Sequence, residues 1–195
     1  MLASEQAGHF TTAQAAAYGT GPALLSYHAT SGTMPRIYPG VYRFRDYPQT
    51  PHEEIVAACL AVGMETVVVS HESALDLWGL TDLIPDAIHL TVPRSRRNLP
   101  KLPGVRIHTT TRPLVQGDVW TYEALRATSP QRTLLDVVST GASPEHVIVG
   151  VRQAQARGWI DEPRLREEAK RRGRRAVTMI ERALSTDRVD AERAW

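Results

Sequence analysis

The spacing of apolar and polar positions changes period several times along this chain, and each change marks an element. Thr11 or Thr12 can cap a helix that runs to about Tyr18, where Gly19 supplies a left-handed end. Pro22 suits the first turn of a second helix, which Gly32 closes about ten residues on. In that helix Leu25 and Ala29 share a core-facing stripe, while Ala23, Ser26, Tyr27 and Thr30 look outward. The run MPRIYPGVYRF then reads as two short strands around the turn pair Pro39-Gly40. Two helices, a glycine turn and a hairpin are the outline of a winged helix-turn-helix.

After the proline-rich YPQTP the pattern mixes strands and helices without the regular alternation of a doubly wound sheet. Residues 52 to 62 are helix-periodic, TVVVS reads as a short buried strand, and HESALDLWGL as an amphipathic helix stopped by Gly79. AIHLTVP and VRIHTTT alternate and are expected to pair across the basic, proline-rich RSRRNLPKLPG. Ser129 can cap a helix from Pro130 to Gly141, and residues 144 to 157 and about 161 to 184 complete the chain as helices. The fold class is α+β, an N-terminal winged helix-turn-helix followed by a larger mixed α+β domain. The expected division is 1–46, 52–185 and a C-terminal tail at 186–195.

Composition narrows the class. The chain has 195 residues, of which 42% are hydrophobic and 23% charged, and its formal net charge is +2. No apolar run approaches the roughly 18 residues of a membrane helix, and MLASEQAGHF lacks the pattern of a secretory signal, so the expectation is a cytoplasmic protein without a membrane partner. The lone Cys59 lies in an apolar helical stretch and reads as a buried, inert thiol. Charge is segregated. Residues 47 to 86 hold seven acids (Glu53, Glu54, Glu65, Glu72, Asp76, Asp82, Asp86) and no Lys or Arg. Residues 87 to 117 hold Arg94, Arg96, Arg97, Lys101, Arg106 and Arg112 and no acid. The two blocks can neutralise one another, or the basic loop can form a face for phosphates or an acidic protein. The later RLREEAKRRGRR reads as a solvated helix, with nucleic-acid contact as the other reading.

Signatures of catalysis are sparse. No phosphate-cradling glycine loop is present, and Lys101 and Lys170 are the only lysines. Ser70, His71 and Glu72 are adjacent, but neighbours at a helix start point in different directions, so Ser70 is better read as a helix cap than as a nucleophile. His89 and His108 fall on neighbouring strand runs without further Cys or His at ligand spacing, so no metal site is expected. Arg132 and Asp136, one helical turn apart, should form an ion pair. No catalytic residue can be assigned.

Five pieces in one order, FTTAQAAAYG, SGTMPRIYPGVYRF, SHESALDLWGL, IHLTVPRSRR and TSPQRTLLD, resemble the AbiEi family of type IV toxin–antitoxin antitoxins, over about residues 8 to 170. The resemblance implies an antitoxin that represses its own operon by binding promoter DNA and neutralises a nucleotidyltransferase-like toxin. Similar proteins commonly carry Arg or Lys on the second helix, to pair with phosphates or guanine edges. Here those positions are Ser26, Tyr27 and Thr30, and His28 stands where an apolar residue is expected, partly buried and hydrogen-bonded. Positive charge comes instead from Arg36, Arg43 and Arg45 on the hairpin, which are expected to give phosphate or minor-groove contacts beside polar ones from Ser26, Tyr27 and Thr30. Arg94, Arg96, Arg97 and Lys101 are the expected contacts to phosphate or toxin. No cofactor is expected, ATP entering only under the alternative of an atypical serine/threonine protein kinase that inactivates the toxin. A plain winged-helix transcription regulator is the remaining alternative.

Overall fold

The computed structural model describes residues 2–192, which fall into two compact units built from interleaved segments of chain. Among the described residues the architecture is mixed α+β, with nine α-helices and two sheets. No helix is long and apolar enough to cross a membrane.

The first unit takes Met1–Val69, Leu90–Arg112 and Thr121–Arg126. It opens with α1 (Leu2–Glu5) and β1 (His9–Thr11), followed by α2 (Thr12–Ala17) and α3 (Pro22–Ser31). The cap of α2 is Thr11 rather than Thr12. The Gln14 N–H donates to Thr11 Oγ1 at 3.1 Å, and the Thr11 N–H donates to Gln14 Oε1 at 2.8 Å, which satisfies two amides that the helix start leaves open. Gly32 ends α3 at φ 75°, as its position implied. Strands β2 (Arg36–Tyr38) and β3 (Val41–Arg43) form the hairpin. The sheet order is β1-β3-β2, antiparallel throughout, with Phe10 opposite Tyr42 and Arg36 opposite Tyr42. Phe10, Ala15, Leu25 and Tyr42 make the small core here, and Ala29 and Met34 pack on it.

Helix α4 (Glu53–Val62) is buried on nearly every side and packs against β1, β2 and β3. An expected boundary between residues 46 and 52 would separate these elements, yet both sides of it lie in the same unit. A second sheet has the order β6-β5-β4-β8-β7. Its strands are β4 (Val68–Val69), β5 (Ile88–Pro93), β6 (Val105–Thr110), β7 (Val119–Tyr122) and β8 (Leu125–Thr128). The pairing of β5 with β6 follows from their alternation. The β7–β8 hairpin was not legible, because Glu123 holds the left-handed position of its turn at φ 50° where glycine or asparagine would have signalled it.

The second unit takes Ser70–His89, Pro113–Trp120 and Ala127–Trp195. Its helices are α5 (His71–Leu77), α6 (Pro130–Thr140), α7 (Pro144–Ala156), α8 (Glu162–Arg172) and α9 (Arg174–Glu192). Helix α6 is central, packing on the other four through Leu134, Leu135, Val137 and Val138. The helical stretch after residue 161 breaks into two at Gly173, whose φ of 100° lies outside the helical range. Helix α9 runs through most of the segment read as a tail, and residues 193–195 lie outside the described ones.

Candidate functional site

The predicted nucleic-acid contacts lie in the first unit. Ser26, Tyr27 and Thr30 are all exposed on α3, Tyr27 at 66%, and Tyr18 and Leu24 are exposed beside them in sequence. Thr30 spends its hydroxyl on the Ser26 carbonyl at 3.0 Å. His28 is half-buried, with Nδ1 3.3 Å from Thr33 Oγ1, the satisfied role expected of it. Arg36 and Arg45 are exposed, whereas Arg43 is not available in the same way. Its guanidinium donates to Glu53 Oε2 at 2.9 Å and to the carbonyls of Tyr47 (2.9 Å) and Pro48 (3.3 Å), tying the segment after the hairpin to the start of α4. The hairpin therefore presents two arginines rather than three. Residues 11 to 45 contain no acid to oppose them.

The basic loop divides similarly. Arg96 folds back on the end of α4, donating to Thr66 Oγ1 at 2.6 Å and to the Val62 carbonyl at 3.1 Å, where a cation suits the negative end of the helix dipole. Arg94, Arg97 and Lys101 are exposed, with no ion pair among the described residues. Part of the C-terminal basic block is paired internally, Arg164 with Glu168 at 2.8 Å, Arg166 with Glu162 at 3.1 Å and Arg172 with Asp136 at 2.7 Å, whereas Arg171, Arg174 and Arg175 are exposed.

In the second unit Ser70 occupies the N-cap position of α5 but its hydroxyl makes no cap bond. It lies 2.9 Å from His71 Nδ1 instead, and His71 is held at φ 53°, a conformation that costs a non-glycine residue about 1–2 kcal/mol. Glu72 pairs with His89 Nδ1 at 2.9 Å. Burial alone would raise the Glu72 carboxyl, but the His89 hydrogen bond, its own backbone amide and the nearby imidazoles hold it at about 2. Cys59 is buried and its thiol is pushed up to about 12 by desolvation, which makes it inert.

The second unit also holds a cavity of about 340 Å3 that no motif announced, lined by Trp120, Trp159, Ser129 and Arg132 among others. Trp78, Trp120 and Trp159 meet edge to face with centroids 5.8, 6.1 and 6.2 Å apart. They come from distant stretches of chain, so no spacing rule could have grouped them. Trp78 is the structural member, its indole N–H donating to the Thr128 carbonyl at 2.8 Å. Arg132 sits between Asp136 (2.9 Å) and Asp118 (3.3 Å), so the expected pair with Asp136 forms within a larger network.

In comparisons with family models and with curated proteins, the chain matches none.

Proposed function

We propose that this chain is an antitoxin of AbiEi type, whose N-terminal winged helix-turn-helix binds the promoter of its own operon and whose remaining α+β body neutralises a co-encoded nucleotidyltransferase-like toxin. One observation carries the DNA half: α3 presents an exposed face of Ser26, Tyr27 and Thr30 in an acid-free stretch, next to a hairpin bearing the exposed Arg36 and Arg45. Polar and aromatic side chains without Arg or Lys suit phosphate-level positioning and shape readout better than bidentate guanine recognition. The toxin half rests on the order of the five sequence pieces that resemble the family.

Two measurements test this reading. A labelled fragment of the upstream promoter should be retarded by the protein with a steep salt dependence, and co-expression should rescue cells from the neighbouring nucleotidyltransferase-like gene product. Absence of any shift at low salt removes the DNA role, and absence of rescue by folded protein removes the toxin as partner.

A further inference from the structure

We propose that the cavity bounded by Trp120, Trp159 and Ser129 binds a neutral planar heterocycle of the nucleobase or nucleoside class. The inference is independent of the DNA and toxin readings. Its volume of about 340 Å3 lies at the small end of ligand pockets and suits one ring system with a compact substituent. Trp120 and Trp159 are set at 81° with centroids 6.1 Å apart, forming a corner. Arg157 stacks over Trp159 with Cζ 4.8 Å from the ring centroid. Trp120, 37% exposed, is the platform left for stacking, and a flat ring on it turns an edge toward the second indole.

Polar groups define what that edge must carry. Ser129 is only 4% exposed, lines the cavity, and makes no side-chain cap bond although it holds the N-cap position of α6. Pro130 follows it, and the amides of Gln131 and Arg132 belong to the first turn, whose N–H groups have no partner within the helix. The Ser129 hydroxyl, open to the cavity, and the first-turn amides beside it offer donors that suit a hydrogen-bond acceptor.

Charge decides against the alternatives. Asp118, Asp161 and Glu168 are matched by Arg132, Arg164 and the Arg157 on Trp159, so the surroundings offer no net positive charge to draw a phosphate or carboxylate. A cation finds the carboxylates already engaged. Asp118 accepts from Arg132 and from the Val115 amide, Asp161 caps α8 through the Arg164 amide, and Glu168 accepts from Gln131 and Arg164. An aliphatic ligand would displace water from the Ser129 hydroxyl and offer it no acceptor in return. A planar ring with acceptor atoms on one edge meets every condition, and that chemistry is shared by free nucleosides and by an unstacked base in a single strand.

The test is titration of the whole protein with adenosine, guanosine, cytidine and uridine, read by tryptophan fluorescence and calorimetry. At least one should bind saturably below about 1 mM. Replacing the stacking platform with Trp120→Leu should weaken it about tenfold or more, and Ser129→Ala should weaken it by about threefold to tenfold. Circular dichroism checks the fold of both variants; should Trp120→Leu unfold, Ser129→Ala and the wild-type titration carry the decision. Nucleoside 5′-monophosphates should bind no more tightly than the parent nucleosides. Short single-stranded oligonucleotides form a further arm: Trp120-dependent binding tighter than that of the nucleoside assigns the source to a strand, and weaker binding assigns it to the free molecule. No saturable binding of any nucleoside or strand, binding indifferent to both substitutions, or a preference for the monophosphates overturns the proposal.

Discussion

Glu72 shows how much one side chain's surroundings matter. Its folded-state carboxyl lies at about 2 against an ordinary 4.5, so the ionised carboxylate beside His89 contributes stability above about pH 4.5 that is lost as pH falls toward 2. Glu72→Gln should remove a contribution on the order of 3 kcal/mol near pH 5 and flatten the acid limb of a denaturation profile between pH 5 and 2. An unchanged limb would mean that the carboxylate is solvated as well in the folded chain as in the unfolded one. Gly150 is the complementary case, set by space rather than charge. A Cβ there would lie 2.9 Å from Leu134 Cδ2 and 3.4 Å from the Leu80 carbonyl, and Leu134 is fully buried. Gly150→Ala, usually favourable inside a helix, should here destabilise by about 1–2 kcal/mol in chemical denaturation.

Among the elements, the β2–β3 hairpin divides its arginines between two tasks. Arg36 and Arg45 are exposed, so the double change to Ala should leave the melting temperature unaltered while lowering the slope of log affinity against log salt by about one unit per lost phosphate contact. Identical slopes in a gel-shift series would take the hairpin out of the interface. Arg43→Ala should behave in the opposite way. It leaves Glu53 and the carbonyls of Tyr47 and Pro48 without their donor, and should cost about 1–3 kcal/mol of stability with little change in salt slope. Helix α8 shows charge arranged for local use in its first half, where Arg164 and Arg166 are matched to Glu168 and Glu162 one turn away.

At the level of the whole molecule, the question is what can fold alone. A chain beginning at Pro51 would keep α4 but strip β1, β2 and β3 from it, exposing a helix in which Ile55, Val56, Ala58 and Leu60 are all buried. Such a truncation should aggregate or lose cooperative melting rather than persist as a separate body. A soluble, sharply melting fragment that still rescues toxin-expressing cells would show that α4 finds other cover.

The sequence by itself determined the local elements wherever a cap or breaker residue punctuates a period. Thr11, Pro22, Gly32, Pro130 and Gly141 each mark an element end where the structure has one, because these residues act through their own backbone or their nearest amides. It also determined the Arg132–Asp136 pair and the buried Cys59, which follow from helical spacing. Tertiary structure alone decided the rest. Arg43 and Arg45 look equivalent in the sequence, and only the return of α4 with Glu53 consumes one and leaves the other exposed. Ser70 and Ser129 both read as caps, yet one hydroxyl turns to His71 and the other lines a cavity, since a hydroxyl goes where packing offers an acceptor or space. The tryptophan corner belongs to no period at all: burial of large aromatic surface drew together residues from α5's end, β7 and the turn after α7, and long-range packing of that kind leaves no mark on local spacing.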